Sequence, residues 1–505
     1  MRFRPCIGAI ALALAFAFAV QAVPAVAQEA MPRDEFFWLG EMNKETAVIN
    51  TDQGLLDKSI APRLAAGVAA VIRAGNQPGA KRPSTVITFE PLLIAAAGPA
   101  VTLLHAGRSS QDMHATYRAA ILREDLLRLA AQLNKTSGSL VSLAAAQRGT
   151  IVPNYTNGVA AQPNSYGHYL LGHAAGFERD AQRLREAYVR IDRSAMGTTV
   201  LNGSSWPLDR YRMAGYLGFP AIVDNAYDAA QISSADEPVE VGAIVTAIAL
   251  HTGSFIQDVM TQYAGSRPWI LLQEGGGNTY VSSAMPQKRN PGLLNATRRD
   301  ASTAISMAMG TVMQAHNIPP GMSDPKEESY NSAMVNHTIK VLQGLDRILN
   351  SLVISPQRAL EELNGDWTAS QELADVLMRK YRVPFRIGHH FASEVVDFAR
   401  ARGIKPLDFP YAQARRIYRD ALKDDGGGEL PMSETEFRST LDPVAIVNGR
   451  ATVGGPQPAE MDRMLKLANQ QLTQQEAWIS ARHATVDTAL ARLDADFDKL
   501  LKTGD

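Results

Sequence analysis

The stretch VSSAMPQKRNP contains the side chains of this sequence that could do chemistry. Ser282 and Ser283 offer two adjacent hydroxyl groups, and Lys288 adds a positive charge. Asn290 and Pro291 are typical of a helix start, with Asn as N-cap and Pro as the first helical residue. A helix amino terminus favours anions through its free N–H groups and its partial positive charge. We therefore expect a loop that binds a carboxylate, in which a serine stabilised as its alkoxide acts as a base.

The residues around this loop leave a second interpretation open. A solvated basic loop with no chemistry would have the same composition, and the stretch alone does not decide between the two. Upstream, the segment EGGGNTY has three consecutive glycines, which would let the loop close over a ligand and exclude water.

The elements that must position this loop are predicted to be mostly helical. Residues 168–188 place apolar side chains at steps of three and four, which indicates an amphipathic helix. Residues 239–263 are apolar nearly all round, as in the interior of a bundle or at a subunit interface. Another long helix is predicted from about Pro458 to Lys502. Strand alternation is scarce.

Length, composition and charge indicate a soluble protein of several domains. The chain has 505 residues, too many for one compact core. Hydrophobic residues make up 46% and charged residues 20%, as in an ordinary globular protein. The formal net charge is -1, which gives no indication of a nucleic acid or of a membrane surface as partner.

The amino-terminal residues predict a cleaved signal peptide and export to the periplasm or the medium. Arg2 and Arg4 precede an apolar run over residues 7–20, and a small-x-small site ends at Ala27. The alternative is an uncleaved anchor, but the run is shorter than the roughly 20 residues that a membrane span needs. Cleavage would remove Cys6, the only cysteine, so the mature chain would have neither a disulfide nor a thiol nucleophile.

Several blocks of the chain resemble the fumarase/aspartase superfamily and, within it, the argininosuccinate lyase branch. SSAMPQKRNP resembles the signature loop of the superfamily. Similar to the branch, in chain order, are HAGRSSQD (105–112), PNYTNGVAAQP (153–163), MGTTVLNGSSWPLDR, LADVLMRKYRVPFRIGHHFASEVV and LDPVAIVNGRATVGG. The resemblance covers nearly the whole mature chain.

The resemblance implies a mainly α-helical, three-domain fold of the fumarase/aspartase type. After a signal peptide over residues 1–27, we expect an amino-terminal helical domain over 28–110. A long central helix bundle with the serine loop would occupy 111–363, and a carboxy-terminal helical domain 364–505. The family also implies a homotetramer in which each active site takes loops from three subunits.

The resemblance implies an elimination reaction on a small-molecule dicarboxylate. A base removes a proton from the carbon next to a carboxylate of an N-substituted aspartate. The resulting enolate-like dianion expels the nitrogen, and fumarate leaves. No metal and no organic cofactor is expected.

Site residues transfer from the family position by position. Ser282 falls on the catalytic base, and Ser283, Lys288 and Asn290 fall on carboxylate-binding positions. The other predicted substrate-binding residues are Arg108, Ser109, Gln111, Thr156 and Gln162. Gln111 stands where the branch usually has Asn, an amide with the same donors and acceptor.

Two departures concern the group that assists proton transfer to the leaving nitrogen. The family has Thr-His where this chain has Thr156-Asn157, and a glutamate where it has Asn295. We interpret the two asparagines as a coordinated replacement of a charge-relay pair, since two amides can satisfy each other. His105 or His114 could supply the missing acid.

The substrate remains open at the level of sequence. Residues 318–330 have Met322, Asp324 and Glu327 where the branch usually has a tyrosine, an arginine and a glutamine, so argininosuccinate itself is in doubt. A sister lyase or cycloisomerase acting on another dicarboxylate is the first alternative. A non-catalytic paralogue that binds dicarboxylates is the second.

Overall fold

The structure, a computed structural model, describes residues 32–421 and 428–502; the predicted signal peptide and its cleavage site lie outside these residues. The chain is mainly α-helical, as predicted. The helices are α1 (Glu35–Asp52), α2 (Ala61–Gly75), α3 (Val86–Ala97), α4 (Ser110–Ala146), α5 (Tyr166–Ile191), α6 (Arg210–Tyr216), α7 (Ser233–Tyr263), α8 (Gly292–Ala315), α9 (Glu328–Ser351), α10 (Pro356–Gly365), α11 (Gln371–Tyr381), α12 (Phe385–Arg400), α13 (Tyr411–Ala421), α14 (Glu434–Ser439), α15 (Pro443–Asn448) and α16 (Pro458–Lys502).

Short strands connect the helices and form two-stranded pairs. The strands are β1 (Ile151–Thr156), β2 (Val159–Ser165), β3 (Arg193–Ser194), β4 (Ala221–Ile222), β5 (Ile270–Leu272), β6 (Tyr280–Val281), β7 (Arg289–Asn290) and β8 (Leu352–Ile354). The pairs β1–β2, β5–β8 and β6–β7 are antiparallel, and β3–β4 is parallel.

Five helices, α4, α5, α7, α8 and α9, pack side by side as a central bundle around one large apolar core. The β1–β2 hairpin lies at the end of the bundle where α4 ends and α5 begins. The β5–β8 pair joins the ends of α7 and α9, and the Trp269 indole Nε1 donates to the Tyr155 hydroxyl at 3.2 Å. This end, which we call the hairpin end, therefore also carries the serine loop and the start of α8.

The opposite end of the bundle carries the start of α4. There Arg118 of α4 pairs with Glu328 of α9 at 3.3 Å, and the Lys326 ammonium donates to the Ala230 carbonyl before α7. Helix α4 has 37 residues, so a rise of 1.5 Å per residue separates the two ends by about 55 Å.

Helix α7 is the apolar helix predicted over residues 239–263. With the π-helical turn before it, Asp228–Tyr263 is long and apolar enough to cross a membrane, with a mean hydropathy of 1.6. Half of that apolar window is buried inside the protein, as in a core helix. The other half is partly or fully exposed, with Leu250 at 59%, so the helix is not enclosed within one chain.

In the described residues there are three large apolar cores, of which the core of the central bundle is the second. They do not follow the order of the chain. The first combines α1–α3 with the last turns of α16, through side chains such as Leu493 and Phe497. The third lies within residues 367–441. The predicted boundaries at residues 110 and 363 stay predictions. Helix α16, which we assigned to the carboxy-terminal domain, packs instead on the first and central cores.

Candidate functional site

The serine loop is closed by backbone pairing and is more ordered than its composition suggests. In β6–β7, Tyr280 pairs with Asn290 and Val281 with Arg289. The Ser282 N–H donates to the Lys288 carbonyl at 3.1 Å, which closes the loop at its base. The shape of the loop is therefore fixed by its own backbone hydrogen bonds.

Two backbone N–H groups donate hydrogen bonds to the Ser282 hydroxyl oxygen. The N–H groups of Ala284 and Met285 donate to its Oγ at 3.4 and 3.3 Å. Donors that point at an oxygen favour its negatively charged form. The loop therefore supplies part of the alkoxide stabilisation that the sequence analysis assigned to Lys288 and the helix terminus.

The carboxylate-binding side chains predicted in this loop are free to meet a ligand. Ser283 and Lys288 are exposed, and within the described residues neither side chain forms a hydrogen bond or an ion pair. Asn290 is half-buried in β7. One cation and two hydroxyl groups thus lie along a single short loop.

The start of α8 differs from the predicted cap. The helix begins at Gly292, and Pro291 occupies the N-cap position without a side-chain hydrogen bond. The prediction of Asn290 as N-cap was wrong, because its backbone is paired with Tyr280. Asn295 is exposed on the first turn of the helix.

The glycine segment before the loop forms a left-handed turn. Gly275, Gly276 and Gly277 have φ values of 83°, 60° and 80°, which side chains rarely allow. Glu274 at its start accepts from Arg289 Nε at 3.0 Å, which ties the segment to β7. The glycines are therefore needed for the turn itself, whether or not the loop also moves.

Thr156 and Asn157 lie at the exposed tip of the β1–β2 hairpin. Thr156 pairs with Val159, which leaves Asn157 and Gly158 as a two-residue turn with φ values of 53° and 77°. Positive φ at both positions is the requirement of a type I′ turn, for which Asn-Gly is the preferred sequence. Asn157 therefore has a backbone role that our sequence analysis missed, although the Asn-Gly pair was visible.

Asn157 and Asn295 are not joined by a hydrogen bond in the described part of a single chain. The predicted hydrogen bond between their amides would have to form between copies of the chain, and it stays a prediction. The remaining hairpin residue, Gln162, donates from Nε2 to Gln371 Oε1 of α11 at 2.7 Å, so its amide connects the hairpin to the third core.

Arg108, a predicted substrate-binding residue, is buried between α1 and the start of α4. Its side chain is only 6% exposed and points into the first core. Its Nη1 donates to Thr46 Oγ1 at 3.0 Å and its Nη2 to Asn43 Oδ1 at 3.1 Å. Arg108 therefore holds α1 against the start of α4 through these two bonds, and its predicted contact with substrate stays a prediction.

Ser109 is the N-cap of α4. Its Oγ accepts from the Gln111 N–H at 3.1 Å and donates to the Thr199 carbonyl at 2.9 Å. Asp112 completes a capping box by accepting from the Ser109 N–H at 2.8 Å. The Ser109 hydroxyl proton is therefore used structurally, whereas the half-exposed Gln111 amide keeps its hydrogen-bonding capacity.

The two histidines proposed as substitute acids differ in their environments. His114 Nε2 accepts from the Val86 N–H at 3.2 Å, and burial together with Arg118 lowers the pKa of His114 to about 4. His114 is therefore neutral near pH 7 and committed as an acceptor. His105 is partly exposed, 3.9 Å from Glu90, although burial and Arg108 also lower its pKa.

Glu45 of α1 interacts with the charge of Arg108, and its ionisation is expected to make stability depend on pH. It is fully buried, and among the residues that the structure describes neither carboxyl oxygen has a hydrogen-bond partner. Burial raises the pKa of Glu45 from 4.5 to about 8, opposed by Arg108. Between these values the folded protein holds a proton that the unfolded chain releases, so the free energy of unfolding falls as pH rises from about 4.5 to 8.

Glu45→Gln is expected to reduce this loss and to raise the free energy of unfolding at pH 8 by about 2 kcal/mol. Urea unfolding at several pH values between 5 and 8 measures it, with Glu394→Gln on the exposed face of α12 as the matched control. An equal pH dependence in the wild type and the Glu45 variant would contradict this account.

The predicted site residues thus fall into two groups within one chain. Ser282, Ser283, Lys288, Asn290, Asn295, Thr156, Asn157 and Gln162 lie at the hairpin end, and Arg108, Ser109 and Gln111 lie about 55 Å away at the start of α4. Within the described residues, no group of three or more His, Cys, Asp or Glu side chains is arranged to hold a metal ion.

Comparisons with known sequences show which family the chain resembles. Residues 92–305 match the family described as Lyase, and residues 367–448 match Argininosuccinate lyase C-terminal; together they span more than half of the chain. The argininosuccinate lyase of Methanococcoides burtonii is 26% identical over 408 residues, 79% of each protein. That of Methanothrix thermoacetophila is 25% identical over 481 residues, 92% of this chain and 95% of the relative.

Comparisons with solved structures support the fold. An EDDS lyase in complex with formate superposes with a TM-score of 0.82 at 22% identity, over 93% of this chain and 92% of that one. The 3-carboxy-cis,cis-muconate lactonizing enzyme of Pseudomonas putida superposes with a TM-score of 0.58 at 18% identity, over 86% and 94%.

Proposed function

We propose that this chain, which belongs to the fumarase/aspartase superfamily and within it to the argininosuccinate lyase branch, eliminates fumarate from an N-substituted aspartate. The chain is a carbon–nitrogen lyase of the argininosuccinate lyase type. Its specific substrate, its assembly and its location in the cell are part of the proposal.

The observation that carries this proposal is the environment of Ser282 Oγ. Two N–H groups, the amino terminus of α8 and the ammonium of Lys288, which has no partner among the described residues, belong to one short loop. This arrangement suits a serine that gives up its proton and then takes the proton from the carbon next to the substrate carboxylate. The electron pair of that C–H bond forms the enolate-like dianion and then the double bond of fumarate, as the C–N bond breaks towards nitrogen.

Ser283, Lys288 and Asn290 are proposed to hold the substrate carboxylates. Fixed donors stabilise a doubly charged carboxyl group best when they need no rearrangement during reaction. The exposed hydroxyl of Thr156 and the half-exposed amide of Gln111 are the other proposed contacts. Arg108, Ser109 and Gln162 stay predicted contacts on the family resemblance alone, and each also forms a hydrogen bond within the chain.

We propose a homotetramer with shared active sites. The two groups of site residues are separated by about 55 Å along α4, so one chain cannot bring them to one substrate. Apolar side chains are exposed along the bundle, with Val189 at 62%, Leu250 at 59% and Met313 at 71%. Such side chains on several bundle helices fit an interface between copies.

We further propose export to the periplasm or the medium, on the signal-peptide pattern that ends at Ala27. An exported enzyme would not meet a cytoplasmic biosynthetic intermediate, which favours a substrate other than argininosuccinate. Amino-terminal sequencing of the protein recovered from a periplasmic extract tests this, and a retained Met1 in a membrane fraction would contradict it.

Fumarate release by the purified mature protein tests the function. The substrates are argininosuccinate, aspartate and several N-succinyl-type amines, and fumarate with amines serves in the reverse direction. Ultraviolet absorbance of fumarate is the readout. Turnover of any substrate supports the proposal, and silence with thermal stabilisation by fumarate would indicate the dicarboxylate-binding paralogue instead.

A sister lyase or cycloisomerase remains the second candidate. The replacement of the family's histidine and glutamate by Asn157 and Asn295 favours it, because the acid step is where such chemistries differ. The reaction of a carboxymuconate with the protein, without fumarate release, would favour this candidate.

Restoring the family pair gives a direct prediction. Asn157→His together with Asn295→Glu is expected to raise fumarate release about tenfold or more, because a positioned acid assists nitrogen departure. Histidine tolerates the positive φ at position 157 better than most residues, so the turn should survive at a cost of about 1 kcal/mol. Each single variant is the control, and unchanged turnover in the double variant would contradict the relay interpretation.

A further inference from the structure

A groove of about 530 Å³ lies between α4, α5 and α16. Its floor is apolar, with Leu133, Val141, Leu171 and Met464 among its side chains. None of the described residues that line it belongs to the predicted catalytic or substrate-binding set. We call it the three-helix groove; its volume is within the range of small-molecule sites.

The middle of the three-helix groove is kept open by a glycine. Gly172 is exposed on α5, and a Cβ atom added to it would meet no other atom of the described residues within 4 Å. Glycine inside a helix costs stability relative to alanine, and packing within the described chain does not require it here. The glycine therefore leaves space in the groove, where the apolar Leu467 of α16 is 46% exposed.

One end of the three-helix groove carries an uncompensated positive charge. Apart from histidine, its charged side chains are Glu178, Arg179 and Arg463. Glu178 pairs with Arg185 at 3.1 Å, and Arg463 pairs with Glu460 at 2.8 Å. Arg179 is exposed, and among the described residues its side chain has neither a hydrogen bond nor an ion pair. An anionic group of a ligand therefore fits this end.

The other end of the three-helix groove has an unsatisfied hydrogen-bonding atom. His168 Nε2 lies 2.8 Å from the Gly454 carbonyl oxygen, which can only accept, so Nε2 is assigned the proton. In the neutral ring Nδ1 is then an acceptor; it is shielded from solvent and has no partner among the described residues. Such an atom is usually paired with protein, water or ligand. A hydrogen-bond donor of a ligand therefore fits this end.

The two polar ends are separated by the length of an extended chain. His168 and Arg179 are 11 residues apart on α5, so a rise of 1.5 Å per residue places their backbones about 16 Å apart. An extended chain advances about 1.2 Å per bond, so about ten carbon atoms with a hydrogen bond at each end cover this distance.

We propose that the three-helix groove binds a medium-chain carboxylic acid with a hydroxyl group at the other end of its chain. The carboxylate binds Arg179, the chain covers the apolar floor beside Gly172, and the terminal hydroxyl donates to His168 Nδ1. This ligand is distinct from the substrate of the proposed lyase, and no covalent step is involved. Because it contacts three helices together, it stabilises the folded chain by mass action.

Four related probes test the site by calorimetry on the full mature protein, each below its micellar concentration. 10-Hydroxydecanoate is expected to bind most tightly. Decanoate lacks the donor for His168 and should bind about threefold more weakly, and 1,10-decanediol lacks the charge for Arg179 and should bind about tenfold more weakly. 6-Hydroxyhexanoate is four CH₂ groups shorter and should bind at least about tenfold more weakly. No binding of 10-hydroxydecanoate, or equal binding of all four probes, would overturn the inference.

Arg179→Gln separates the charge from the apolar floor. It is expected to weaken the binding of 10-hydroxydecanoate about tenfold and to leave the binding of 1,10-decanediol unchanged, because the diol has no charge. Arg386→Gln makes the same change at an exposed position of α12, outside the groove, and is the matched control. Wild-type affinity for 10-hydroxydecanoate in Arg179→Gln would contradict the assignment of the carboxylate.

Gly172→Leu tests the open middle of the groove. The leucine side chain occupies the space of the ligand chain, so the binding of 10-hydroxydecanoate should weaken about tenfold or more. The melting temperature should be kept, because the new Cβ meets no described atom and leucine favours a helix more than glycine. Gly215→Leu is the control, since Gly215 is exposed on α6 with equally open space and lies outside the groove. Unaltered binding in Gly172→Leu would overturn the site.

Two other occupants of the three-helix groove give different results. If a second copy of the chain covers it, sedimentation would show an assembly that Gly172→Leu dissociates, and no probe would bind to the wild type. If a membrane surface covers it, phosphatidylglycerol vesicles would bind the wild type whereas monomeric 10-hydroxydecanoate would not. Either result would overturn the inference, and neither depends on whether the chain releases fumarate.

Discussion

Ser282→Ala is expected to lower kcat for fumarate release by about a thousandfold or more. The loop directs the N–H groups of Ala284 and Met285 at Ser282 Oγ, with Lys288 close along the loop. Removal of a general base typically costs a factor of 10²–10⁴. Alanine has no group that could take the proton, and the loop backbone can keep the Ser282 N–H bond to the Lys288 carbonyl.

Ser283→Ala is the matched control, since it removes the neighbouring hydroxyl from the same loop. It should raise KM about tenfold, through one lost hydrogen bond to a carboxylate, and change kcat less than Ser282→Ala. Both variants should keep the wild-type melting temperature, since Ser283 is exposed and Ser282 makes only long contacts. If both lowered kcat equally, the base role would not belong to Ser282 alone.

Arg123→Met is expected to lower the free energy of unfolding by about 3–5 kcal/mol. Arg123 is fully buried, and its Nη1 and Nη2 donate to Asp192 Oδ1 and the Leu217 carbonyl, both at 2.8 Å. Its guanidinium also stacks on the Phe219 ring, 4.0 Å from the centroid. Burial raises the pKa of Asp192 even with Arg123 present, so loss of the arginine leaves a costly buried carboxylate.

The double variant Arg123→Met with Asp192→Asn distinguishes the unpaired charge from lost packing. It is expected to recover about half of the stability, because an amide needs no counter-charge. Urea unfolding followed by circular dichroism measures all three proteins. A double variant no more stable than Arg123→Met would assign the loss to packing around Phe219 and Trp38.

Much of the fold followed from apolar periodicity and from the order of resembling blocks. The buried face of α7 and the bounds of α16 were visible as patterns of apolar side chains. Apolar periodicity could not predict which helices pack against each other. Helix α16 follows the third core in sequence but packs on the first two, because its 45 residues are long enough to reach both.

The site was predicted best where function depends on a local loop. Ser282, Ser283 and Lys288 lie together because β6–β7 closes the loop between them. The structural bonds of Arg108 and Ser109 were not predicted, since neither their inward direction nor their partners on α1 and near Thr199 follow from a motif. Asn157 was interpreted only as the replacement of the family's histidine, whereas its positive φ shows that it also forms the turn.

Ser282 is proposed to catalyse the interconversion of an N-substituted aspartate with fumarate and an amine. The most direct measurement is proton NMR of fumarate and an amine panel in deuterium oxide, with wild type and Ser282→Ala. The account predicts that wild type consumes the vinyl signal of fumarate and forms an N-substituted aspartate with one deuterium, on the carbon that does not carry nitrogen. A vinyl signal unchanged by the wild type with every amine, or equal product formation by Ser282→Ala, would contradict it.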